Sequence, residues 1–157
     1  MPSTPLEQFI QCEQQNPDRV FLRQPINGVW KMWTWSRASE EAKKLARGFR
    51  SLGLEEGDHI AILSKNCAQW IIADLAIMMT GCISIPIYPT LSAAGIEPIL
   101  IHSDAKAIIV GKLDDYSSQV SGIPATMIRI GMNTYGINEQ HSMENLIANN
   151  SPLSEIY

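Results

Sequence analysis

The chemistry-bearing side chains of this chain are few and scattered. Its three histidines, His59, His102 and His141, have no ligand-spaced neighbours that could complete a tetrahedral zinc site. Cys12, Cys67 and Cys82 form no Cys-x-x-Cys pair, and bridging two would strand the third, so reduced thiols are expected. No Gly-x-Ser-x-Gly elbow offers a nucleophile. A phosphate loop would need Gly-x-x-x-x-Gly-Lys-Ser/Thr, and a dinucleotide fold Gly-x-Gly-x-x-Gly; neither occurs. The acidic pairs Glu55-Glu56 and Asp114-Asp115 fall at turns or helix starts, where carboxylates solubilise or face a helix dipole. Asp74 sits on an apolar helix, and a buried unpaired charge is costly. A structural carboxylate satisfied by a partner is the expectation there, ahead of a catalytic acid. Taken alone, the residues assemble no active site.

Composition narrows the classes. At 157 residues the chain fits one domain, able to bury roughly two-thirds of its unfolded surface. The apolar fraction of 45% is that of a globular protein. Twelve basic against sixteen acidic residues give a net charge of −4, without the basic footprint of a nucleic-acid binder. The start, Met-Pro-Ser-Thr-Pro-Leu-Glu-Gln, lacks a basic region before an apolar run, so no secretory signal is expected.

Between Lys65 and Glu97 only Asp74 is charged. A bilayer-spanning helix needs roughly 20 uninterrupted apolar residues. Here Asn66 can cap a helix, Gly81 can end it, and Ile83, Ile85 and Ile87 then alternate with Ser84, Pro86 and Tyr88. The stretch reads as a buried helix–strand unit. On the helix, Ile71, Ile72, Leu75, Met78 and Met79 form an apolar stripe, opposite a mixed side of Asn66, Gln69, Trp70, Asp74 and Thr80 with Ala73 and Ile77.

Upstream, Thr4–Gln15 predicts a helix stopped by Pro17. Val20–Arg23 and Val29–Trp35 predict strands around the Asn27-Gly28 turn, with Trp30, Trp33 and Trp35 in core and interface packing around the ribbon. Ser36–Leu52 predicts the clearest helix, capped by Ser36 and ended at Gly53. Its buried arc is Ala38, Ala42, Leu45, Ala46, Phe49 and Leu52; its solvated face is Glu40, Lys43, Lys44, Arg47 and Arg50. Downstream, strands at Ile60–Leu63, Ile83–Ile87, Ala107–Val110 and Met127–Ile130 alternate with helices at Cys67–Thr80, Ser92–Ser103 and Leu113–Val120. A weaker helix follows Ser142, after a loop over Gly131–His141. The alternation requires crossovers and a mainly parallel, twisted sheet, so the fold class is α/β. Pro86 and Pro89 put part of the second strand at an edge or end of the sheet. Pro98 should kink its helix or mark a start at Glu97.

The order of elements carries a resemblance. Trp30…Thr34-Trp35-Ser36 leads into an Ala/Leu helix, then Leu52-Gly53-Leu54…Gly57-Asp58…Ile60-Ala61-Ile62. Asn66-x-x-x-Trp70-x-x-x-Asp74-x-Ala76 follows, then Gly81…Pro86-Ile87-Tyr88-Pro89-Thr90-Leu91-Ser92-Ala93 and Ile101-His102-Ser103-Asp104-Ala105-Lys106-Ala107. Over roughly residues 4–130 this resembles the N-terminal region of the adenylate-forming superfamily, and within it the long-chain fatty-acid–CoA ligases. Departures are Cys67 and Gln69 in place of the usual Arg and Glu, Arg37 where an acid is usual, and Gly95 and Pro98 in a helix.

The resemblance implies a parent enzyme that uses ATP and Mg²⁺ to convert a long-chain fatty acid to acyl-AMP, from which CoA thiol displaces AMP. It implies that the phosphate-binding loop, the adenine and ribose motifs and the C-terminal-domain lysine lie beyond Tyr157. On that view residues 1–157 form a partial N-terminal AMP-binding domain. A helix/hairpin/helix part covers 1–57, and an alternating β/α unit covers 58–157. No catalytic, cofactor-binding or metal-ligating residue is expected within the chain, and no cofactor is expected to be bound by it. Tyr135-Gly136-Ile137-Asn138-Glu139 imitates the adenine motif Tyr-Gly-x-Thr-Glu, but precedes the phosphate loop and has Asn for Thr; it is read as coincidence. The partner implied is the remainder of the same ligase domain, met by the mixed side of the Asn66–Thr80 helix and the edge near Pro86–Thr90. No nucleic-acid partner is expected, and the location implied is cytoplasmic. Homodimerisation and peripheral membrane contact of the parent stay open. So do two other readings: a non-catalytic interaction module, and a fatty-acyl-AMP ligase serving a carrier protein.

Overall fold

The computed structural model describes residues 3–157. Met1 and Pro2, which open the stretch read for a secretory signal, lie outside the described residues. The first helix, α1 (Pro5–Gln15), starts on a reciprocal cap: Thr4 Oγ1 accepts from Glu7 N at 3.2 Å, and Glu7 Oε2 accepts from Thr4 N at 2.6 Å. Strands β1 (Val20–Ile26) and β2 (Val29–Thr34) pair antiparallel as a separate two-stranded ribbon. Its turn needs positive φ at both central residues, and Asn27 (φ 50°) and Gly28 (φ 78°) supply it.

Helix α2 (Trp35–Ser51) begins earlier than the sequence suggests. Thr34, still extended as the last strand residue, accepts from Arg37 N at 3.2 Å, so Ser36 lies inside the helix. Its buried arc is as expected for Ala38, Ala42, Leu45, Ala46 and Phe49, whereas Leu52 is only half-buried. Among the tryptophans, Trp33 is buried and Trp35 stacks on Phe21 at 4.0 Å. Trp30 is not in the core of this chain: it stands 66% exposed opposite Pro25 on the outer face of the ribbon.

The main sheet contains β3 (His59–Leu63), β4 (Ile83–Ile87), β5 (Ala105–Val110), β6 (Ile128–Gly131) and β7 (His141–Ser142). All pairings are parallel, in the order β4-β3-β5-β6-β7. Helices α3 (Ala68–Met79), α4 (Ala93–His102), α5 (Tyr116–Gln119) and α6 (Met143–Asn149) occupy the connections and the end of the chain. One face of the sheet, through Ile60, Ile62, Ala107, Ile109 and Ile130, packs on α2, α3 and α6. The other, through Ala61, Leu63, Ile87, Ile108 and Val110, packs on Ile96 and Leu100 of α4.

Several expectations change. Asn66 does not cap α3. Cys67 holds the cap position without a side-chain bond, and Gln24 Oε1 of β1 accepts from Ala68 N at 3.3 Å instead. The buried residues of α3 are Ala68, Gln69, Ile72, Ala73, Leu75, Ala76, Ile77 and Met79, followed by Thr80; of the expected stripe, Ile72, Leu75 and Met79 are buried while Ile71 and Met78 are half-exposed. Alanines let the helix lie close on the sheet, so burial extends beyond the stripe onto Gln69, Ala73 and Ile77 of the side read as mixed. The expected Leu113–Val120 helix shrinks to α5, because Asp115 caps it through Ser118 N and a 3₁₀ turn follows at Val120–Gly122. Helix α4 starts at Ala93 and runs through Pro98, so Glu97 is not its start. Strand β4 occupies its expected span and the edge that its prolines indicated, but it is not the buried strand expected: Ile83 is 47% exposed, and only Ile87 is buried. Among the described residues, no helix is long and apolar enough to cross a membrane.

Candidate functional site

In an open parallel sheet, ligands gather outside the carboxyl ends of the strands where the strand order reverses. Here β4 lies on one side of β3 and β5 on the other, so that point falls between β3 and β5. The two loops leaving it are Ser64-Lys65-Asn66 and Gly111-Lys112-Leu113.

These loops are sewn together. Gly111 N donates to Leu63 O at 3.0 Å, and Lys65 N to Lys112 O at 2.8 Å. The Ser64 hydroxyl accepts from Lys112 N at 2.9 Å and donates to Lys65 O at 2.8 Å. Lys65 Nζ pairs with Asp114 at 2.6 Å. A side chain on Gly111 would place Cβ 2.5 Å from both Ser64 Oγ and Met132 Sδ, so only glycine permits this approach. The amides of Lys65, Gly111 and Lys112 and the ammonium of Lys65 are thus engaged in the crevice's own closure.

The open concavity lies one strand over, at the ends of β3 and β4. It holds about 370 Å³ between Ser64, Asn66, Trp70, Pro86, Tyr88 and Pro89. Tyr88 is 79% exposed. No carboxylate, imidazole or cation lines this hollow; it offers aromatic and prolyl surface with one side-chain amide and the hydroxyls of Ser64 and Tyr88. It can seat a flat or apolar group, but it lacks what neutralises phosphate charge.

The other residues singled out by sequence stay apart. His59 Nδ1 bonds Ser103 O at the opposite end of the sheet, His102 is exposed at the end of α4, and His141 lies in β7. Among the described residues, no three His, Cys, Asp or Glu side chains cluster in a way that could hold a metal ion. Asp74 has no buried partner. It is half-exposed on the wall of a cavity shared with Phe9, Cys12 and Phe21. The Tyr135–Glu139 segment is occupied structurally: Tyr135 Oη donates to Gln69 Oε1 at 2.8 Å, and Glu139 accepts from Tyr116 Oη. Burial, foremost, pushes both phenols above their ordinary range.

Sequence reading missed Arg50. Assigned to a solvated face, it is half-buried and donates to Leu54 O at 3.1 Å and Thr80 O at 2.6 Å. Gly53, positioned by its φ of +82° to turn the chain back, was the only sequence signal for that clamp.

The architecture is shared with solved structures. Coronafacic acid ligase from Pectobacterium brasiliense superposes with a TM-score of 0.81 at 21% identity, over 97% of this chain and 31% of that one. In sequence, the long-chain-fatty-acid–CoA ligase FadD15 of Mycobacterium bovis is 31% identical over 115 residues, 73% of this chain and 19% of that protein. An uncharacterised protein of Mycobacterium tuberculosis is 26% identical over 123 residues, 78% of this chain and 69% of that protein. The chain thus spans about a fifth of its FadD15 relative, but more than two-thirds of the shorter protein. The family model described as AMP-binding enzyme matches residues 9–149, nearly the whole chain. This chain belongs to the AMP-binding enzyme family.

Proposed function

We propose that this chain is the first structural layer of an enzyme that activates long-chain fatty acids with ATP, in the presence of Mg²⁺, and transfers the acyl group to CoA. The observation carrying this reading is the AMP-binding match over residues 9–149, joined to 31% identity with a long-chain-fatty-acid–CoA ligase. The residues present do not fit ATP, Mg²⁺ or CoA phosphates. Lys65 is engaged by Asp114 and the switch-point amides by each other, which leaves Lys112 as the one lysine of the two loops outside an ion pair among the described residues, and the neighbouring hollow carries no charge. The chain's own contribution is therefore positional.

Residues 1–157 are read as a partial N-terminal domain, with 1–57 forming helix, ribbon and helix and 58–157 the parallel β/α unit, in a cytoplasmic enzyme. The exposed β4 edge at Ile83 and Tyr88, and the outer face of α4 at Ala94, Pro98 and Ile101, offer apolar surface to the rest of such a domain. Of the proposed contact side on α3, only Asn66, Trp70 and Asp74 remain available; Gln69, Ala73, Ile77 and Thr80 are already buried within the chain.

One observation favours a second reading. The shorter mycobacterial relative has much the same extent, as a stand-alone non-catalytic module would. The coding sequence after Tyr157 decides between the two. A Thr-Ser-Gly-Thr-Thr-Gly-x-Pro-Lys run followed by a terminal-domain lysine supports the ligase layer. A stop without either supports the module.

A further inference from the structure

The two edges of the main sheet are unequal. β7 is two residues long, whereas β4 runs five, from Ile83 to Ile87. A long edge that stays in water is commonly guarded by charge, above all lysine. β4 has no such guard: Asp74 is the only charged residue between Lys65 and Glu97. Instead Ile83 and Tyr88 are exposed, Ile85 is half-buried, and α4 on the same face of the sheet turns Ala94, Pro98 and Ile101 outward. The odd residues of β4 spend their backbone groups on β3. What the edge offers is the N–H and C=O of Ser84 and the C=O of Pro86.

Three observations say what covers this edge. The rest of the chain closes on itself: both sheet faces are packed, the switch-point loops are sewn, and Arg50 and the Tyr157 amide take the carbonyls at the end of α3. The layer is thus folded before anything is added to β4. In coronafacic acid ligase the same architecture is 31% of a chain, so a larger remainder needs a face to join. The shorter mycobacterial relative, of which this chain spans 69%, leaves no room for such a remainder in the same polypeptide. A second copy is the poorer occupant. In a symmetric pair the donor missing at Pro86 is missing twice, whereas a strand of another sequence meets the gap once.

We propose that β4, with the outer face of α4, is a docking seam that receives the remainder of an AMP-binding domain as a separate polypeptide, whose own edge strand adds to β4. Such docking rests on the ligase-layer reading, and it is measured by binding without turnover.

The test co-expresses the 157-residue chain, tagged, with FadD15 of Mycobacterium bovis lacking the segment that the chain matches. Light scattering should find an equimolar complex, in which hydrogen exchange at the Ser84 amide slows at least about tenfold. Ile83→Lys with Tyr88→Ser should weaken the complex at least about tenfold. Val29→Ser with Met32→Ser, on the ribbon, should leave it unchanged. Urea midpoints of these variants should match the parent, which separates lost docking from lost folding. A FadD15 remainder that stays insoluble or unbound beside the chain overturns the seam, as does a complex indifferent to the β4 variant. A dimer of the chain alone, abolished by the β4 variant, also overturns it, because the face would then belong to a second copy. The two readings fail separately. A ligase run after Tyr157 without any complex removes the seam alone, and a stop there beside a complex removes the continuous ligase and keeps the seam.

Discussion

Arg50, near the end of α2, donates from Nη2 to the carbonyl oxygen of Thr80, 2.6 Å away and thirty positions along the chain. The same guanidinium donates from Nη1 to Leu54 O, so one side chain satisfies the frayed carbonyl end of α3 and the turn leaving α2. Helices α2 and α3 are thereby held in fixed relation over the sheet, which sets the position of the β4 edge.

Arg50→Ala should lower stability by about 2 kcal/mol, since hydrogen bonds from a charged donor carry more than neutral ones. Arg50→Lys should recover only part of this, because an ammonium cannot span both carbonyls in one plane. Urea unfolding checks it: the midpoint falls and the slope stays constant. A solvated arginine, as the sequence pattern suggested, would leave the midpoint unmoved.

Gly111→Ala should cost about 2 kcal/mol by forcing apart the two loops at the switch point, where its Cβ meets Ser64 Oγ and Met132 Sδ. Gly111→Ala with Ser64→Ala should not be additive, because the second change removes one of the atoms struck by the first. A double-mutant cycle in urea measures the coupling; strict additivity would mean that the loops are not in contact.

Pro86 carries a different kind of prediction. Ile83 N donates to Asp58 O, so the odd residues of β4 point their backbone groups at β3 and the even residues point outward. Proline at 86 therefore removes a donor from the open edge and none from the ladder. Pro86→Thr should leave the fold intact and raise self-association, read by light scattering across a concentration series. Unchanged association would show that the edge is protected in some other way.

Acid sensitivity should pass through Glu144. Burial acts to raise its carboxyl, but the amide and hydroxyl of Thr134 and the amide of Asn133 outweigh it, and the group sits below its ordinary value of 4.5. A depressed folded-state value means the stabilisation is present above the unfolded value and is lost as pH falls through the folded one. Glu144→Gln should therefore lower the urea midpoint at about pH 6 and flatten its decline toward about pH 3. A parallel decline in parent and variant would remove Glu144 from the account.

The sequence made the parallel sheet legible because Ile60–Leu63, Ile83–Ile87 and Ala107–Val110 are short apolar runs separated by helical periods, and backbone geometry leaves few other arrangements. Its prolines indicated the edge position of β4, but its isoleucines read as buried, since such an alternation looks the same whether the next layer belongs to this chain or to another. It read only part of the buried surface of α3: Ile72, Leu75 and Met79 were legible as apolar, whereas Ala73 and Ala76, weak in hydropathy, are among the residues that let a helix approach a sheet. Arg50 and Gln24 were unreadable for a further reason: each satisfies backbone groups thirty or more positions away, and no local pattern records such a partner. The resemblance through Tyr88-Pro89-Thr90 indicated the family; the hollow beside those residues carries no charged side chain.

The central claim is that this chain positions a ligase without performing its chemistry. Fatty-acid-dependent ATP–pyrophosphate exchange on the purified 157-residue chain, with palmitate and Mg²⁺ beside a complete long-chain ligase, tests it most directly. The account predicts exchange by the complete enzyme and none above the blank by the chain. Palmitate-dependent exchange by the chain, abolished when the chain is unfolded, would contradict it.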